Sequence, residues 1–121
     1  IESARAITEQ LILENRPEAI ICANNTVAMG TFHSIRDHGL TIPDNIAVIS
    51  FDDYPYSRIM EPALTVVNID VYDMGTQAGT MLLRKIKQPS LQVQSYTTLP
   101  VLIVRDSTVK KAASEPKPTK I

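Results

Sequence analysis

The stretch Ala19-Ile20-Ile21-Cys22-Ala23-Asn24-Asn25 decides the fold. It is apolar without interruption and then breaks at a pair of asparagines. A run with no polar alternation fits a strand buried on both faces, as in a parallel sheet. The pattern returns at Ile46-Ala47-Val48-Ile49-Ser50, which leads into Phe51-Asp52-Asp53. Leu64-Thr65-Val66-Val67-Asn68-Ile69, which leads into Asp70, reads as a third strand.

Helical spacing fills the gaps between these runs. Ala4, Ile7, Leu11 and Ile12 predict an amphipathic helix that ends near Asn15, ahead of Pro17. A second helix is expected from about Thr26 to His38, with Ala28, Phe32 and Ile35 on one face and Gly39 where a C-cap glycine belongs. Residues 54–63, limited by Pro55 and Pro62, read as irregular or as a short helical turn. Val71, Met74, Ala78, Met81, Leu82 and Ile86 mark the longest helix, 71 to 87. Gly75 and Gly79 cost helix propensity there, which suggests close packing of this helix against the sheet. Gln92 to Val104 is β-rich but broken by Pro100, so an edge position or a bend is expected. Residues 109–121 are polar and contain prolines, and are expected to form a disordered tail.

The order α-β-α-β-turn-β-α-β implies an α/β fold: a parallel, doubly wound sheet with right-handed crossovers. Ligands of such sheets bind outside the carboxyl ends of the strands. Those ends are Asn24-Asn25, Asp52-Asp53 and Ile69-Asp70. Carboxylates accept hydrogen bonds and amides both donate and accept, so this rim complements the vicinal hydroxyls of a polyol or sugar-like ligand.

Composition removes several classes of function. At 121 residues there is material for one core and not two. A formal net charge of -1 leaves no basic surface for nucleic acid on this stretch. No apolar run is long enough for a membrane span. The single cysteine, Cys22, excludes an internal disulfide, suits a reducing compartment and reads as a small core hydrophobe. His33 and His38 are five apart on one helix, the wrong spacing for a shared metal. There is no glycine-rich phosphate loop and no CxxC. Asp52-Asp53 has no second feature that supports acid–base work. No catalytic residue, metal or cofactor is therefore expected. Asn24 could equally cap the helix that follows it, and Asp53 reads as a turn or cap residue. Tyr54 and Tyr56 could stack on a sugar face or fill a subunit seam. Arg105 reads as a structural ion-pair partner.

Five segments, in order, resemble the lactose/galactose repressor (LacI/GalR) family. They are Pro17 to Gly30, Gly39 to Asp53 with its "F-D-D" ending, Pro62 to Val67, the Gly75 and Leu82-Leu83 helix, and Leu99 to Thr108 with its closing Arg105-Asp106-Ser107-Thr108. The resemblance implies that residues 1–108 form the C-terminal subdomain of a periplasmic-binding-protein-like (type I) effector domain. The chain is then expected to be a fragment, with the N-terminal subdomain and a helix-turn-helix head lying upstream. The implied parent is a cytoplasmic repressor with no membrane partner. It takes a sugar, sugar acid or sugar phosphate as effector and binds operator DNA through the absent head. Asn24 and Asp52 match the family's effector-contacting positions. Met29 and Met60 match positions in its homodimer seam. Three departures stand out: Asn25 where Asp is usual, Ser50 where Gly is usual, and Ile69 where many members carry a ligand-reaching Gln. Two rival readings remain at this point. One is a secreted solute-binding protein of the same fold, and the other is a small α/β enzyme using the Asp-rich rim.

Overall fold

The computed structural model describes residues 1–110. The expected polar tail, 109–121, lies almost wholly outside them. The elements are α1 (Glu2–Glu14), β1 (Ala19–Cys22), α2 (Asn25–Asp37), β2 (Ala47–Phe51), a 3-10 turn (Pro55–Arg58), β3 (Thr65–Asn68), α3 (Val71–Lys87) and β4 (Val101–Ile103). One sheet runs in the order β1-β2-β3-β4. The first three strands are parallel, with Ile21 opposite Ile49 and Phe51 opposite Val67. β4 returns antiparallel on the edge, with Leu102 opposite Val67, so Pro100 immediately precedes an edge strand. The α/β, parallel-dominated architecture is the one the strand and helix pattern implied.

α2 is set by its two ends. The Asn24 side chain accepts the Val27 N–H at 3.0 Å, which closes the first turn. Gly39 stops the helix in the left-handed region at φ +66°, where a Cβ is strained. The inward stripe of α2 is Ala28, Phe32 and Ile35, all buried against Val48, Val66, Ile46 and Leu64. On its other side, α2 meets α1 at Gly30. A Cβ there would stand 2.8 Å from Ala4 Cβ and closer still to the Ile1 carbonyl, so only glycine lets the two backbones approach this far.

The buried side of α1 differs from the expected one. Ile12 is buried, but Ile7 is 60 % exposed and Thr8 is buried in its place. The Thr8 hydroxyl lies 3.1 Å from that of Thr31, and the Cys22 thiol donates to Thr31 at 3.5 Å. A polar pair thus contributes to the α1–α2 contact beside Gly30, which an apolar count along α1 does not reveal. Cys22 is buried as expected, and burial pushes its thiol pKa up despite the Thr31 bond.

Two further expectations need correction. β1 is not buried on both faces: Ile21 is 73 % exposed, and the face it shares with Phe51, Val67 and Leu102 is left partly open. Nor does α3 pack closely on the sheet. None of its residues is buried, and a Cβ at Gly75 or Gly79 would meet nothing within 4 Å. α3 instead lies beside the returning segment. Met81 and Leu82 share a groove with Leu91 and Val93, and the Tyr96 hydroxyl donates to Asp73 at 2.7 Å. The apolar pattern marks faces that favour burial. It cannot say that the cover comes from this stretch of chain.

Candidate functional site

Because β1, β2 and β3 are parallel, their carboxyl ends share one rim. Asn25 locks that rim together. It is 1 % exposed, and its amide donates to the carbonyls of Phe51 at 2.7 Å and Asp52 at 2.6 Å while its oxygen accepts from the Ser57 hydroxyl. The start of α2 is thereby fastened to the end of β2, and Asn24 and Asp52 are brought to the same edge. An Asp at this position would lack the N–H donors that these two carbonyls use.

Asp52 turns the chain out of β2. Its backbone sits at φ +69°, a left-handed conformation that Asp adopts more readily than most residues, and its N–H donates to the Val67 carbonyl at 3.0 Å. Among the described residues no donor engages its carboxylate. Asp52 lines a pocket of about 190 Å³ with Asp53, Tyr54, Asn68, Ile69 and Val71. Asn24 is exposed at the neighbouring strand end. Its oxygen caps α2, and among the described residues its amide N–H groups have no partner. Capping and ligand contact are therefore compatible for this residue, since they use different atoms.

Asp53 has a different task. Its carboxylate is 5 % exposed and accepts from Arg58 Nη2 and Arg105 Nη2, each at 2.9 Å. Arg105 Nη1 lies 2.8 Å from the other carboxylate oxygen while donating to the Leu64 carbonyl at 2.9 Å. The Arg105 hydrogen bond holds the Asp53 carboxyl below the usual carboxylate range, against a desolvation cost that acts the other way. Arg105 is the ion-pair partner it was expected to be.

Ser107 carries a role that residue patterns did not reveal. It is fully buried between β2 and β3. Its hydroxyl accepts from Thr65 N–H at 2.8 Å and donates to the Val48 carbonyl at 2.6 Å, and its own carbonyl accepts from Val48 N–H at 3.0 Å. Thr108 adds a hydroxyl contact with Thr65 at 2.7 Å. The segment from Arg105 to Thr108 therefore closes the gap where the two central strands diverge. The available signal was a Ser-Thr pair a few residues after a strand.

Met29 and Met60 are far apart in sequence but line one shallow pocket of about 150 Å³ with Phe32, His33, Arg36 and Glu61. Arg36 donates to the Glu61 carbonyl across it. A larger hollow, about 610 Å³, lies between the segments that lead into β2 and β3, away from the Asn24 and Asp52 rim. No cluster of metal-ligating side chains occurs among the described residues. His33 is exposed, and His38 Nδ1 is 2.8 Å from the Ser34 carbonyl. No helix among the described residues is long and apolar enough to cross a membrane.

The family profile described as a periplasmic binding protein-like domain matches residues 1–108. The arabinose metabolism transcriptional repressor of Geobacillus stearothermophilus is 38 % identical over 96 residues, which are 78 % of this chain and 26 % of that protein. The lactose operon repressor of Rhizobium radiobacter is 33 % identical over 104 residues, 86 % of this chain and 90 % of that sequence. A LacI family regulator from Arthrobacter sp. FB24, solved in complex with lactose, superposes with a TM-score of 0.76 at 26 % identity, over 89 % of this chain and 41 % of that one. The chain belongs to the periplasmic binding protein-like domain family, in its branch of LacI/GalR-type transcriptional repressors. It spans about a quarter of the arabinose repressor's length and about two fifths of the lactose-bound regulator's.

Proposed function

We propose that this chain is one wall of the effector cleft, and part of the homodimer seam, of a cytoplasmic sugar-sensing transcriptional repressor. One observation carries the reading. The Asn25 bonds to Phe51 and Asp52 hold the Asn24 and Asp52 strand ends together, and among the described residues the Asp52 carboxylate is unengaged beside a pocket. In this reading Asp52 accepts from sugar hydroxyls and the free amide of Asn24 donates to them. The lactose seen in the Arthrobacter regulator supports a saccharide as the ligand class. The apolar side of α3 and the open sheet face are covered by the remainder of the parent protein, which also holds the DNA-binding helix-turn-helix.

The chain performs no chemistry. Effector binding between two subdomains shifts the balance of open and closed forms, and that shift changes the affinity of the heads for operator DNA. Met29 and Met60 sit in the seam through which one protomer meets its partner. The test is effector-dependent operator binding by the complete protein carrying Asp52→Asn. The substitution should weaken the effector response at least about tenfold while leaving effector-free operator binding intact. An unchanged response removes Asp52 from the site.

A further inference from the structure

The rim pocket is amphipathic in a way that restricts what it holds. Tyr54 lines it and is 49 % exposed. Its ring stacks on that of Tyr56, with centroids 5.5 Å apart and planes 6° from parallel. The stacking limits the rotation of the Tyr54 ring. Ile69 and Val71 add an aliphatic shelf beside it. On the polar side, the Asn68 oxygen is already used by the Asp53 N–H at 3.3 Å, which leaves the Asp52 carboxylate as the free acceptor. Among the described residues no lysine or arginine lines the pocket. The two guanidiniums at Asp53, those of Arg58 and Arg105, are both engaged by its carboxylate.

This wall thus combines an aromatic ring, an aliphatic shelf and a negative charge, with no cation in its lining among the described residues. A chair-form pyranose matches it. Its ring C–H groups carry slight positive charge and pack on the negative face of an aromatic ring, and its edge hydroxyls donate to a carboxylate. An anionic sugar matches it less well, because a second negative charge beside Asp52 is repelled and the two nearby guanidiniums are already paired with Asp53.

Resting on the sugar-sensing reading above, the geometry points to Tyr54 as a specificity-determining residue. It is the platform for the C–H face of an uncharged pyranose, and this wall disfavours sugar acids and sugar phosphates. The test is calorimetric titration of the complete protein with glucose and galactose, each beside its uronate and its 6-phosphate, and with lactose beside lactobionate. A neutral member should bind at least about tenfold more tightly than its anionic counterparts. Tyr54→Ala should weaken that neutral ligand about tenfold, and Tyr54→Phe, which keeps the ring, should stay within about twofold. Unchanged far-UV circular dichroism for both variants separates these effects from misfolding. An anionic sugar that binds as tightly as its neutral parent, or a Tyr54→Ala variant with full affinity, sinks this inference and leaves the sugar-sensing reading standing. If no saccharide in the panel binds, the sensing reading fails for these ligands and the inference falls with it.

Discussion

Arg105 and Asp53, 52 residues apart in sequence, meet through two close nitrogen–oxygen contacts of 2.8 and 2.9 Å, and the Asp53 carboxylate is 5 % exposed. The pair joins the exit of β4 to the exit of β2, while Arg58 ties the β2–β3 crossover to the same carboxylate. Adjacent aspartates thereby divide their tasks: Asp53 fastens the fold, and Asp52, without a carboxylate partner among the described residues, lines the pocket.

Breaking that pair should be costly. Removing Arg105 leaves the Asp53 carboxylate with only the exposed Arg58 as a partner, at a cost of about 1–3 kcal/mol, below that of a buried charge left wholly unpaired. Arg105→Ala should lower the urea midpoint accordingly. The pH dependence has a definite sign. The folded-state pKa of Asp53 is depressed, so its contribution is present above the unfolded value of about 3.9 and is lost as pH falls below that value through the folded one. Acid denaturation curves should show this component in the native protein and lack it in Asp53→Asn. Identical curves would remove Asp53 as a stabilising group.

Ser107→Ala leaves the buried Thr65 N–H and Val48 carbonyl each without the hydroxyl they share. Each orphaned group costs about 1–3 kcal/mol. Amide hydrogen exchange at Thr65 should accelerate well beyond that of neighbouring core amides. Exchange that is unchanged there would show that another group satisfies the strand.

Gly30→Ala and Gly75→Ala should act in opposite directions. At Gly30 the new Cβ meets the Ile1 backbone and Ala4, which cannot rotate aside, and overpacking of this kind costs about 1–3 kcal/mol. At Gly75 a Cβ meets nothing within 4 Å, so in this chain by itself helix propensity favours alanine by about 1 kcal/mol. Thermal midpoints of the two variants distinguish these outcomes; a stabilised Gly30→Ala contradicts the close α1–α2 approach.

Met60→Asp places a charge in the pocket that Met60 shares with Met29. If that pocket is the subunit seam, sedimentation of the complete protein should change from dimer to monomer, because a desolvated unpaired charge opposes association. A dimer that survives the change moves the seam elsewhere.

The sequence by itself determined the element order, the parallel strands and the rim that carries Asn24 and Asp52. Local signals sufficed for these: short apolar-rich runs, the Asn24 cap and the left-handed Gly39. Only the tertiary structure decided how the rim is held. Asn25 acts through Phe51 and Asp52, and Ser107 acts through Val48 and Thr65, and such partners are unknowable until the chain has folded back on itself. The same holds for cover. Ile21 and the α3 stripe read as apolar in sequence, yet Ile21 is 73 % exposed and no α3 residue is buried. Hydropathy records a side chain's preference for leaving water. Which surface removes it from water is a matter of three-dimensional packing.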